Sequence, residues 1–168
     1  MAFIRGFGAW LPSRIVTNEE IAERVGKEAS WIRDVSGIEQ RRWGAPEDTV
    51  VAMGAKAGNN CLETSGASKE EIGLVIVSTG SHGNRFPGAA AEIAHALGMT
   101  GVPAIDVPVA SAGSLFGLTL ASQLVEKYRN ILVIASERMS SVIDKDPSTA
   151  ILFGDGAGAC LVSADKGK

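Results

Sequence analysis

Ser111 is the side chain in this sequence best placed for covalent chemistry. It lies in Ala104-Ile105-Asp106-Val107-Pro108-Val109-Ala110-Ser111-Ala112-Gly113, directly ahead of a long apolar segment. The run reads as a short buried strand, a tight turn of small residues and the start of a helix. A side chain at such a turn lies over the first helical turn, where unpaired N–H groups and the helix dipole favour negative charge. That suits a nucleophile and its developing oxyanion, with Ala112 and Gly113 forming the turn. A hydroxyl also needs a general base within hydrogen-bond reach. The chain has two histidines. His95 follows Ala91 by one helical turn and reads as a partly exposed helical residue. His82 lies in a loop at a strand end, where sites gather in α/β sheets. It reads either as a polar loop residue or as a site group.

A second motif, Phe153-Gly154-Asp155-Gly156-Ala157-Gly158-Ala159, follows. Gly154 and Gly156 permit close backbone approach and positive φ, and Asp155 can accept backbone hydrogen bonds in a turn. We read this motif as architecture for the site. Asp106 is expected to be buried with hydrogen-bond partners and not to serve as a base.

The elements that must position these residues follow from periodicity. Phe3 to Trp10 is β-prone and ends before Pro12. Asn18, followed by Glu19 and Glu20, reads as an N-cap opening a helix to about Val25, and Ala29 to Asp34 as a further helical turn or two. Val50, Met53, Ala57 and Cys61 recur at helical spacing, in a helix ending near Ser65-Gly66. Leu74 to Val77 is a continuous apolar run, as expected of a strand buried on both faces. A helix from about Gly88 to Leu97 stops at Gly98. Ala104–Val107, Ile131–Ala135 and Ala157–Val162 are further strands. Strands alternating with helices predict an α/β layered domain with a largely parallel sheet. From Gly113 to Val125 the helix has no wide polar face, since Leu115, Phe116, Leu118, Leu120 and Leu124 surround it. Such a helix must be covered on both sides. One sheet covers only one of them, so the chain reads as part of a larger layered structure.

Composition narrows the classes. The 168 residues suffice for one ordinary domain. A net charge of −3 without a basic block gives no indication of a nucleic-acid surface. No signal pattern or membrane-length apolar run is visible. The two cysteines, Cys61 and Cys160, sit among small apolar residues. They read as buried free thiols of a reduced, cytoplasmic protein, and no metal-ligand spacing is present.

Together these motifs carry a resemblance. Gly8-Ala9-Trp10-Leu11-Pro12 with Val16-Thr17-Asn18 is followed by Trp31-Ile32 ahead of Ser36-Gly37-Ile38, and by Arg41-Arg42. Phe86-Pro87, Leu97-Gly98, Ala104–Val107, Ala112-Gly113, Ser136-Glu137 and the Phe153–Ala159 motif come next in order. The chain resembles the N-terminal half of a β-ketoacyl-acyl-carrier-protein synthase III, of the thiolase-like superfamily, over residues 1–168. The resemblance implies a five-stranded, mixed but mostly parallel sheet with helices, one half of a layered α/β/α/β/α architecture around two central helices. The helix after Ser111 would be one of these, and the C-terminal half is absent from this chain. It further implies acyl transfer from acyl-CoA or acyl carrier protein and condensation with malonyl-acyl carrier protein, in fatty acid or polyketide biosynthesis. No tightly bound cofactor or metal is implied. A second half or subunit would supply a histidine and an asparagine, in a homo- or hetero-oligomer without nucleic-acid or membrane partners.

The family's nucleophile is a cysteine, and Ser111 stands in its place. A thiol, with a pKa of ~8.5, is readily ionised by a helix N-terminus; a serine hydroxyl is far less acidic. Three readings of Ser111 stand: an introduced replacement of the cysteine, a natural serine nucleophile, or a small residue in a silent site. The resemblance assigns Trp31 to stacking on the CoA adenine, although Trp31 also reads as the anchor of a short helix. The family's basic positions near this tryptophan correspond here to Val35 and Pro147, which weakens the expectation of CoA binding. Phe86 is assigned to the acyl pocket near a subunit interface, with ordinary core packing as the alternative reading. Phe153 joins it as a pocket residue. A non-catalytic thiolase-fold partner subunit, or an inactive Cys-to-Ser form, is the alternative function.

Overall fold

The computed structural model describes residues 1–143 and 146–166. β1 (Phe3–Trp10), β4 (Leu74–Ser78), β5 (Ala104–Val107), β6 (Asn130–Arg138) and β7 (Asp155–Ser163) form one five-stranded sheet. Their order is β1-β7-β6-β4-β5. β6, β4 and β5 are parallel neighbours, while β7 is antiparallel to both β6 and β1. Four strands therefore point one way and β7 alone opposes them, giving the mixed, mostly parallel sheet expected. A small antiparallel pair, β2 (Ile15–Thr17) with β3 (Gln40–Arg42), stands outside the sheet. Neither of these three-residue strands was legible from periodicity.

Alternation along β4 builds the two core layers. Val75 and Val77 face the helices α3 (Val50–Ser65) and α4 (Ala89–Ala96), whereas Leu74 and Ile76 face α5 (Gly113–Tyr128). Every residue of β4 is buried, as its unbroken apolar run requires. On α3 the predicted Met53, Ala57 and Cys61 are fully buried. The helix starts at a Thr49 side chain that accepts from the Ala52 N–H and ends at Gly66 in the left-handed region.

α5 meets the sheet through Gly113, Gly117, Ala121 and Val125, spaced four apart. A Cβ at Gly113 would lie 2.6 Å from Ser78 Cβ, and one at Gly117 2.9 Å from Val133 Cγ1, so only small residues allow this close approach. On the opposite flank Leu115, Phe116 and Leu120 are 67%, 56% and 40% exposed. The chain itself covers one side of the helix and leaves the other open.

A satellite layer comprises α1 (Asn18–Val25), α2 (Ala29–Ser36), the β2–β3 pair and α6 (Pro147–Ala150). Val16, Ile21, Ile32, Trp43 and Ile151 are its buried centre. Here the capping expectation is corrected. Thr17, not Asn18, is the N-cap of α1 and accepts from the Glu20 N–H. Asn18 is buried, donating to the Ile38 carbonyl at 2.7 Å and accepting from Arg41 at 2.9 Å. Its amide is needed to satisfy a buried guanidinium, which outweighs the capping preference.

Candidate functional site

The turn ahead of α5 forms as its small residues predict. The Val109 N–H bonds the Val107 carbonyl at 2.7 Å, and the Gly113 N–H bonds the Ala110 carbonyl at 3.0 Å. Ser111 is exposed immediately before Ala112, the N-cap residue, which offers no side-chain cap. Its hydroxyl therefore stands beside an uncapped end of a sixteen-residue helix, not inside solid packing. Among the described residues no side chain hydrogen-bonds to Ser111, so this chain presents the nucleophile position without a bonded base.

The loop after β4 abuts this turn. A Cβ at Gly80 would lie 2.7 Å from Ala110 Cβ. Glu137, at the end of β6, holds the loop: its carboxylate accepts from the Gly80 N–H at 2.8 Å, from Thr79 Oγ1 at 3.3 Å and from the Ser81 hydroxyl. The sequence marked Ser136-Glu137 only as part of a pattern. A carboxylate at the end of a central strand was the available signal for its role. Beside the turn, Thr79, Gly80, His82, Asp106, Val107 and Pro108 help line a cavity of about 410 Å³. Ser111 does not line it.

His82 is mostly enclosed, with Nε2 3.6 Å from Glu92 Oε1, whereas His95 is exposed on α4. Asp106 departs from expectation: it is exposed on the edge strand β5. It does have a partner, because Oδ1 accepts from the Ala90 N–H at 2.8 Å. Gly88, the N-cap of α4, has no side chain to cap the helix, and Asp106 caps it from the neighbouring strand.

The Phe153 motif is built around Asp155, only 4% exposed. Oδ2 accepts from the Gly44 N–H at 2.7 Å and the Ser140 hydroxyl at 2.6 Å, and Oδ1 from the Ser140 N–H at 2.8 Å. Asp155 thus ties two loops to the start of β7. Gly154 and Gly156 do not adopt positive φ. Their lack of a side chain serves close approach instead, since Cβ atoms there would meet the Arg42 carbonyl oxygen at 3.1 Å and Leu11 Cδ2 at 2.8 Å. Phe153 is half-buried and its carbonyl accepts from Trp43 Nε1 at 3.2 Å.

Trp31 is half-buried against the satellite cluster, anchoring α2, and Lys27 Nζ lies 5.4 Å from its ring centroid. Val35 is 55% exposed, and Pro147 occupies the first turn of α6 behind an Asp146 cap. Phe86 is 93% exposed, which overturns core packing as its explanation. The structure therefore brings Ser111, Ala112 and Gly113 together with the loop after β4. Trp31 and Phe153 are joined through the satellite cluster, and Phe86 lies further along the loop after β4. Cys61 and Cys160 are free and buried. Burial, reinforced by the neighbouring Cys160, pushes the Cys61 thiol up to about 11, and burial also raises that of Cys160. Among the described residues no cluster of His, Cys, Asp or Glu could hold a metal, and no helix is long and apolar enough to cross a membrane.

The family model for 3-oxoacyl-[acyl-carrier-protein] synthase III matches residues 105–168. The chain is 44% identical over 164 residues to β-ketoacyl-[acyl-carrier-protein] synthase III 1 of Streptomyces coelicolor, covering 96% of this chain and 48% of that protein. It is 40% identical over 166 residues to the synthase III of Salmonella arizonae, covering 97% and 52%. Among solved structures, the 3-oxoacyl-[acyl-carrier-protein] synthase III of Aquifex aeolicus superposes with a TM-score of 0.95 at 34% identity, covering 100% of this chain and 55% of that one. The priming β-ketosynthase of the R1128 polyketide pathway superposes at 0.93 and 37%, covering 98% and 50%. The chain spans about half the length of the curated relatives it matches. In sequence and fold alike, the chain is similar to one half of the β-ketoacyl-acyl-carrier-protein synthase III proteins.

Proposed function

We propose that this chain is the N-terminal half of a synthase III-type acyltransferase, with Ser111 in the acyl-accepting position. The observation that carries the reading is the exposed Ser111 hydroxyl at the uncapped start of α5, a helix whose far flank is apolar and open. A second half seated on that flank would enclose the helix and bring a histidine and an asparagine towards residue 111. Oγ would attack the thioester carbonyl of an acyl-CoA or acyl carrier protein and give its proton to a base from that half. The C–S bond would then break, and the departing CoA or carrier-protein thiolate would take that proton and leave as the free thiol, with the acyl group on Oγ. Backbone N–H groups at the start of α5 would face the developing oxyanion. The acyl chain would pass towards Phe153 and towards Phe86, whose exposure suits a place at a subunit interface. Trp31 would contact the nucleotide of CoA. Condensation with malonyl-acyl carrier protein would follow, in a cytoplasmic oligomer with no resident cofactor.

A non-catalytic partner subunit is the second reading, favoured by one observation: no described side chain is bonded to Ser111 as a base. Incubating the complete assembly with radiolabelled acyl-CoA and acyl carrier protein separates the two. Label retained on a Ser111 peptide is the expected result, and absence of both label and thioester exchange would refute the serine acyl-enzyme. Ser111→Cys then asks whether the rest of the site is competent, by gain of condensation.

A further inference from the structure

We propose that Trp43 is a positioning residue for Phe153 and so sets the acyl-chain preference of the site. The inference rests on reading Phe153 as part of the acyl pocket.

The segment from Arg41 to Gly44 grips the segment from Ile151 to Asp155 at three points. Arg41 Nη2 donates to the Ile151 carbonyl at 2.9 Å, Trp43 Nε1 to the Phe153 carbonyl at 3.2 Å, and the Gly44 N–H to Asp155 Oδ2 at 2.7 Å. The outer two contacts hold residues that are themselves buried, at 4% exposure each. The central one holds Phe153, which is half-buried and belongs to no helix or strand. Among the described residues, Trp43 is the only donor to the Phe153 carbonyl.

The indole is well fixed for this purpose. It is 8% exposed and packs in the cluster of Val16, Ile21, Ile32 and Ile151. The guanidinium groups of Arg24 and Arg14 lie 5.2 and 5.6 Å from its ring centroid. The Trp43 backbone N–H donates to the Arg14 carbonyl at 3.3 Å. A ring held on so many sides has one polar side-chain atom, and that atom is directed at the backbone of Phe153. Trp31 packs against the same cluster. The residue expected to meet the nucleotide and the residue expected to meet the acyl chain are therefore joined through one small body.

The test uses the complete assembly, with acetyl-, butyryl- and octanoyl-CoA as probes and binding measured by calorimetry. Phe153→Ala should change the ratio of octanoyl to acetyl affinity. Trp43→Phe keeps an aromatic ring and loses the donor, and should move the same ratio about three- to tenfold, the range of one net hydrogen bond. If Phe153→Ala leaves the ratio unchanged, the acyl-pocket reading fails. If Phe153→Ala moves it and Trp43→Phe does not, the positioning role is overturned. A measurement on the unaltered sequence stands beside these in case Trp43→Phe does not fold. In ¹⁵N-labelled protein saturated with each probe, the Trp43 indole N–H resonance should move with acyl length, and an unmoved resonance overturns the proposal.

Discussion

Asp155 and Cys61 show how single side chains act through burial. Asp155 accepts three hydrogen bonds in a pocket that admits almost no water. Asp155→Asn would turn an amide donor towards groups that already donate, and should cost about 2–4 kcal/mol in urea titration. A change below about 0.5 kcal/mol would show that the loops are held by other means. The two cysteines should resist thiol reagents at pH 8 in the native state and react only on unfolding. The Cys61 shift also sets a pH dependence. The thiol is protonated in both states below its ordinary value of 9.0, so its contribution is constant there. Between that value and about 11 the unfolded chain ionises first, so stability should fall as pH rises through this window. Denaturant midpoints at pH 8 and 10.5, compared with those of Cys61→Ala, isolate the effect. The buried thiols could be read from their small apolar neighbours. The partners of Asp155 could not, because Gly44 arrives from 111 residues away and Ser140 from 15 residues away, neither at a regular helical or strand spacing. The same holds for Glu137, whose donors lie more than fifty residues away.

At the level of elements, the long helices and central strands are readable because each buries a periodic or continuous apolar face. α3 declares itself by four-residue spacing and β4 by an unbroken run. β2 and β3 are too short for any period, and they exist because Ile15 to Thr17 finds Gln40 to Arg42 across the intervening helices α1 and α2. The reversal of β7 is likewise invisible locally, since Asp155 to Ser163 would pattern identically in either direction. Close packing between elements yields the sharpest expectation at this scale. A Cβ at Gly8 would lie 2.2 Å from the Ala57 carbonyl oxygen and 2.3 Å from the Cys61 N, both backbone atoms. Gly8→Ala must therefore push β1 and α3 apart, and should destabilise by more than about 3 kcal/mol or abolish folding, as followed by circular dichroism. Thr49→Ala removes only the cap of α3 and should cost about 1 kcal/mol. If the Gly8 variant proved the milder of the two, the packing described between β1 and α3 would be wrong.

For the molecule as a whole, the open flank of α5 governs behaviour in solution. Leu115, Phe116 and Leu120 form an exposed apolar stripe on a helix whose other side is fully engaged. The 168-residue chain expressed alone should self-associate and bind hydrophobic dyes, and Leu115→Glu with Phe116→Glu should suppress both. Sedimentation velocity is the direct measurement, and a monodisperse monomer of the unaltered chain would contradict the expectation. This property was legible in advance, because a helix without a polar face cannot be satisfied by one sheet. Which flank stays open was not, since Gly117 and Ala121 had to be seen against Val133 and the sheet.

The reversed strand has one practical consequence. Phe3 pairs with Ser163, which also pairs with Asn130, whereas Ser78, Val107 and Ala135 close the opposite end of the sheet, from which the Ser111 turn departs. Dyes or fusion partners grafted at residue 1 or near residue 166 would therefore be close neighbours, on the pole remote from the hydroxyl. A circular permutant could join those ends with a short linker and open the chain elsewhere, leaving residue 111 unobstructed for labelling.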